Sequence, residues 1–133
     1  MRTIPIIQAN VKTSSRLTWE ERAITDWLND PKAAKQIPLK RVKTETDYSY
    51  IAHIKKSAFV YDPVKKVLSV NLEEDTANRI MGLNLSPEVI TDAVKREVDG
   101  KNLVSATIRK FTMVNLVAND DYGSFPGIDS KVK

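Results

Sequence analysis

His53 is the only histidine in this chain of 133 residues, cysteine is absent, and seventeen carboxylates are the remaining groups suited to proton transfer or metal binding near neutral pH. A nucleophilic serine needs a base within hydrogen-bond reach and an acid behind that base. His53 falls inside a strand-like stretch, and no serine sits near a glycine-rich elbow, so His53 reads as a structural residue. Without cysteine there is no thiolate nucleophile and no thiolate metal site. Imidazole zinc sites draw on more than one histidine. The four glycines, Gly82, Gly100, Gly123 and Gly127, do not cluster into a phosphate-cradling loop. Glu73-Glu74-Asp75 and Asp120-Asp121 would bind a divalent cation only if the fold joined them. A simpler role is available to both groups, at a helix N-terminus and in a solvated tail. No cofactor or metal is therefore predicted, and binding ranks ahead of catalysis.

The chemistry that remains lies in YSYIAHIKKSAFVYDPVKK, residues 48 to 66. Lysines that track phosphates and aromatic rings on which bases stack are the two ingredients of a single-stranded nucleic-acid surface. Here Tyr48, Tyr50, Phe59 and Tyr61 alternate with Lys55, Lys56, Lys65 and Lys66, and Lys40, Arg41 and Lys43 precede them. From residue 31 to 66 nine basic residues face three acids, a net charge of +6 within a chain of net charge +4. Such a segment attracts polyanions. Strand parity divides the aromatic set. Tyr48 and Tyr50 share a face with Ala52 and Ile54, which reads as a core face, although composition alone leaves them open to either side. Phe59 and Tyr61 are then the stacking platforms. The predicted nucleic-acid-binding set is Lys40, Arg41, Lys43, Lys55, Lys56, Phe59, Tyr61, Lys65 and Lys66.

The elements that must position these residues suggest a single α+β domain over residues 1–118, a mainly antiparallel sheet with three main helices packed on it. Residues 3–11 read as a strand, with Pro5 favouring an edge or arm. The segment 17–30 has Trp19, Ala23, Ile24, Trp27 and Leu28 at helical spacing, with Thr18 and Glu21 placed for a capping box. Asp30-Pro31 suits the start of a second short helix. Residues 59–61 and 67–72 form a hairpin about a proline turn, with Leu68, Val70 and Leu72 inward. EEDTANRIMGL reads as a short helix. Ser86-Pro87-Glu88 opens another, striped by Ile90, Ala93, Val94 and Val98. Residues 102–117 form the last strand, and 119–133 an irregular tail.

The succession KKVLSVNLEEDTANRIMGLNLSPEVITDAVKREVDG, a strand followed by two capped helices, resembles the ribbon-helix-helix repressors. That resemblance implies two chains pairing their strands, with Val67, Ser69 and Asn71 reading bases in the major groove. The chain departs from the family in a first helix about one turn short and in a strand that already has a hairpin partner. A different class of function is a structural or accessory subunit that self-assembles, or docks on a protein partner, through residues 1–11 and 119–133. No apolar run is long enough to cross a bilayer. The apolar start of the chain is interrupted by Gln8 and Asn10 too early for a signal-peptide core. A soluble, intracellular, cytoplasmic protein is the default expectation.

Overall fold

The structure, a computed structural model, describes residues 1–12, 16–98, 100, 104–120 and 128–133. It is an α+β fold in which sheets dominate, with 57% strand. The strands are β1 (Arg2–Gln8), β2 (Leu17–Trp19), β3 (Gln36–Val42), β4 (Tyr48–Lys55), β5 (Phe59–Asp62), β6 (Val67–Leu72), β7 (Asn84–Val98) and β8 (Val104–Asn119). Two α-helices stand among the described residues, α1 (Glu21–Asn29) and α2 (Glu74–Arg79).

A smaller sheet runs β1-β6-β5, all antiparallel. Alternation builds it. Leu68, Val70 and Leu72 are fully buried, as the hairpin pattern predicts. Asp62 closes the β5–β6 turn by accepting the backbone N–H groups of Val64 at 2.9 Å and Lys65 at 3.1 Å. Strand β1 lies at the sheet edge, where Pro5 costs no central ladder bond. A bulge between Pro5 and Ile7 lets the adjacent Ile6 and Ile7 both enter the core. The N-terminal segment is thus a core strand rather than a projecting arm.

The larger sheet is organised by β8. Strand β7 pairs with it antiparallel, while β2 lies parallel to it at Ala106–Ile108 and β3 parallel to it at Leu116–Ala118. Helix α1 joins β2 to β3 and packs against β8. Its Ala23, Ile24 and Trp27 are buried, as their helical spacing requires. Trp27 lies 27° from parallel to Phe111, with ring centroids 5.8 Å apart, and meets Phe59 edge-on at 5.3 Å. Trp19 meets Phe111 edge-on at 5.2 Å, from β2 rather than from the helix. The capping box does not form. Thr18 is a strand residue, and the carboxylate of Glu21 turns instead to Tyr61 and Lys66.

Three further expectations give way. Residues 31–37 form a turn and the start of β3, because Asp30 uses its side chain to accept the Lys32 N–H at 2.8 Å in a local turn. The segment opened by Ser86-Pro87-Glu88 is the fifteen-residue strand β7 rather than a third helix. Its β-branched Val89, Ile90, Thr91, Val94 and Val98 suit a pleated ribbon, and pairing with β8 outweighs the local helix-start signal. The same observation removes the ribbon-helix-helix arrangement, since its second helix is a strand and β6 is enclosed between β1 and β5.

The chain end is held in place as well. Val132 is buried, Gly82 donates to its carbonyl at 2.8 Å, and its own N–H donates to Leu83 at 2.9 Å. Arg2 also donates to the Lys133 carbonyl. Of the expected tail, Asn119 belongs to β8 and residues 121–127 lie outside the described residues. No helix among the described residues is long and apolar enough to cross a membrane.

Candidate nucleic-acid interface

The stretch from 48 to 66 is not one surface. The 3₁₀ turn Lys56–Ala58 passes the chain from β4, in the larger sheet, to β5, in the smaller one. The nine predicted residues therefore separate into groups with different surroundings.

Phe59 is only 4% exposed, enclosed against Trp27, and offers no free ring face to a base. Tyr61 is half-buried, and its hydroxyl donates to Glu21. Lys66 reaches the same carboxylate at 3.1 and 3.2 Å. Hydrogen bonds from Tyr61 and Lys66 hold the Glu21 carboxyl below its usual range. Burial, reinforced by the hydrogen bond to Glu21, pushes the Tyr61 hydroxyl well above the ordinary tyrosine value. Lys56 donates to the Asp30 carbonyl at 2.9 Å, with its ammonium 5.3 Å from the centre of the Trp27 ring. These contacts tie Tyr61 and Lys66 to the start of α1, and Lys56 to its end. Lys65 is exposed at the β5–β6 turn. Arg41 is half-buried and pairs with Ser49.

The β3–β4 pair presents a different picture. Residues directly opposite in an antiparallel ladder point to the same side. The fully buried Ile37 and Leu39 pair with Ile54 and Ala52, which defines the core side. The next step advances one residue along β3, from Leu39 to Lys40, but two along β4, from Ala52 to Tyr50. Ile51 is the extra residue of a bulge, and the bulge reverses the parity of everything before it. Tyr50 and Tyr48 now pair with Lys40 and Val42 on the side away from the core. They are 57% and 49% exposed, where simple alternation would have put them on the core side.

On this outer face the Lys40 ammonium lies 4.8 Å from the centre of the Tyr48 ring and 5.1 Å from that of Tyr50, within cation–π range of both. The two tyrosine rings meet edge-on with centroids 6.1 Å apart. His53, opposite Pro38 on the same side, lies with its ring 13° from parallel to Tyr50 and 6.5 Å from it. Lys43 stands exposed in the turn at one end of the pair. At the other end Lys35, Lys55 and Lys56 line one depression. From Tyr48 to Lys55 a strand spans about 23 Å, room for about four extended nucleotides. Acidic residues border the face. Glu88 and Glu45 line a cleft with Lys40, Lys43 and Tyr48, and Glu88 accepts a hydrogen bond from Asn115 at 2.6 Å.

Of the predicted set, the structure gathers Lys40, Lys43 and Lys55 and separates them from Phe59, Tyr61, Lys65 and Lys66. It adds Tyr48, Tyr50, His53 and Lys35. The signal for the bulge lay in Ile51, an apolar residue out of phase between Tyr50 and Ala52. Among the described residues, no three His, Cys, Asp or Glu side chains group as metal ligands. Glu74 instead meets the N-terminal amine at 3.4 Å and Arg2 at 3.2 Å. The fold and this face define a small α+β protein with an exposed aromatic and basic strand pair. No protein-family model, curated protein or solved structure matches the chain.

Proposed function

We propose that the protein binds single-stranded nucleic acid along the outer face of β3 and β4, with Tyr48, Tyr50 and His53 as stacking surfaces and Lys40, Lys43, Lys55 and Lys35 as phosphate contacts. One observation carries this reading: the bulge at Ile51 exposes two tyrosine rings beside a lysine that reaches both. Exposed tyrosines in an outward strand position lose the burial that usually accounts for aromatics in sheets. A ring with an ammonium at its face suits a base with its phosphate. The test is fluorescence anisotropy of labelled single- and double-stranded DNA and RNA at low and physiological salt. Saturable binding that favours single strands and weakens steeply with salt supports the reading. No binding at low salt overturns it.

A second reading is association with another chain. It is favoured by Ile90, Val98 and Val104, which are 59%, 67% and 47% exposed along the β7–β8 ribbon. Sedimentation of the purified protein over a range of concentrations tests it. A strictly monomeric protein rules out self-assembly through the ribbon.

A further inference from the structure

We propose that Arg79 is the positioning residue that holds β4 in the phase exposing Tyr48 and Tyr50. This inference rests on the reading of the β3–β4 face given above. Arg79 is the last residue of α2, and its Nη1 donates to the carbonyl of Ile51 at 2.7 Å. Ile51 is the bulged residue, the position in β4 where the β3 ladder is interrupted. Strand β4 is the last of its sheet, and Arg79 gives this carbonyl a charged partner from outside the ladder. The backbone that carries the exposed Arg79 is anchored, because Ala77 and Ile80 on either side of it are buried. Ile51 packs its side chain against the core, so the bulge is held by apolar contact as well as by Arg79.

The alternative state is a continuous ladder. Ile51 would then oppose Lys40 and face outward, and Tyr50 and Tyr48 would turn toward the other side of the sheet. A one-residue change of register reverses every side chain beyond it. Turning Ile51 outward would also turn its carbonyl away from Arg79, so the contact biases the strand toward outward tyrosines.

Nitration by tetranitromethane, mapped by peptide mass spectrometry, reads this directly and needs no nucleic acid. In the native chain Tyr48 and Tyr50 react readily and Tyr61, bonded to Glu21, reacts slowly. Arg79→Ala lowers the reactivity of Tyr48 and Tyr50 by about threefold or more while leaving Tyr61 unchanged, and Arg79→Lys restores most of it. Affinity for oligothymidylate falls and recovers in parallel. Unchanged nitration in Arg79→Ala overturns the proposal; if affinity alone falls, Arg79 is a phosphate contact only. Tyrosine protection in Arg79→Ala, combined with no oligonucleotide binding by the native protein, upholds the latch and removes the proposed function. Deleting Ile51 gives a second test. Tyr50 then adjoins Ala52, the ladder is continuous with both tyrosines still outward, and Arg79→Ala in that background changes nothing. Protection of the tyrosines there would refute the role assigned to Arg79.

Discussion

Replacing Tyr48 and Tyr50 together by alanine separates the outer face from the interior more sharply than any lysine substitution. Alanine replacement of a ring that stacks on a base costs about 1–3 kcal/mol. Tyr48 is 49% exposed and Tyr50 57%, so each is partly covered already, which favours the low end of that range. Two losses of about 1 kcal/mol amount to about a thirtyfold rise in Kd for a single-stranded oligonucleotide. Both side chains face solvent, so the melting temperature should hardly move. Phe59→Ala is the opposite case. Its ring is 4% exposed between the sheets and Trp27, and its removal should cost about 3–5 kcal/mol of stability while leaving the Kd of the folded fraction unchanged. Anisotropy titrations at fixed salt, paired with thermal melts by circular dichroism, read both quantities. An unchanged Kd in the double tyrosine variant, or a large loss of affinity in a folded Phe59 variant, would refute the assignment of the outer face.

Lys40→Ala should weaken binding and reduce the slope of log K against log salt by about 0.7, the contribution of one phosphate contact to a single strand; an unchanged slope removes Lys40 from the phosphate path. The Glu21 carboxyl is depressed in the folded state, so its contribution to stability is complete above the ordinary glutamate value of about 4.3 and is lost as pH falls through the folded value. Glu21→Gln should therefore flatten the acid limb of the stability profile, measured by urea melts at successive pH values. Tyr61 has the opposite sign. Its raised value makes its contribution complete below about pH 10 and lost as pH climbs toward the folded value, and Tyr61→Phe should abolish that alkaline loss. Val132→Asp would bury a charge where the chain end docks, and should lower the urea midpoint by several kcal/mol in equivalent free energy, roughly 3 or more.

Local pattern revealed those elements whose partners are near in sequence or whose faces are simply divided. Leu68, Val70 and Leu72 alternate against a solvated side, and Asp62-Pro63 marks their turn. Ala23, Ile24 and Trp27 recur at helical spacing, and α2 begins with the acids that suit its N-terminus. Strand β7 was hidden because Ile90, Ala93, Val94 and Val98 fit a helical stripe, although Ile90 and Val98 are exposed in the folded protein. Only its pairing with a strand six residues further on decides its conformation. The candidate site was half legible. Composition picked out the basic and aromatic stretch, but parity sent Tyr48 and Tyr50 inward, because a single extra residue at 51 is invisible to a two-residue period. The contact that holds that residue comes from Arg79, twenty-eight positions away.

Strand β8 also bears on how the protein is made. Translation delivers β1, β5 and β6 before β7 and β8, so the smaller sheet has all its strands while later residues are still being added. The larger sheet is in the reverse position. Trp19, Trp27, Ile37 and Leu39 are made before Ile108, Phe111 and Leu116, against which that sheet closes. Such non-local pairing is slow and leaves apolar surface uncovered in the interim. Translation halted before residue 104 would leave β2, β3 and β7 without β8, the strand with which all three pair.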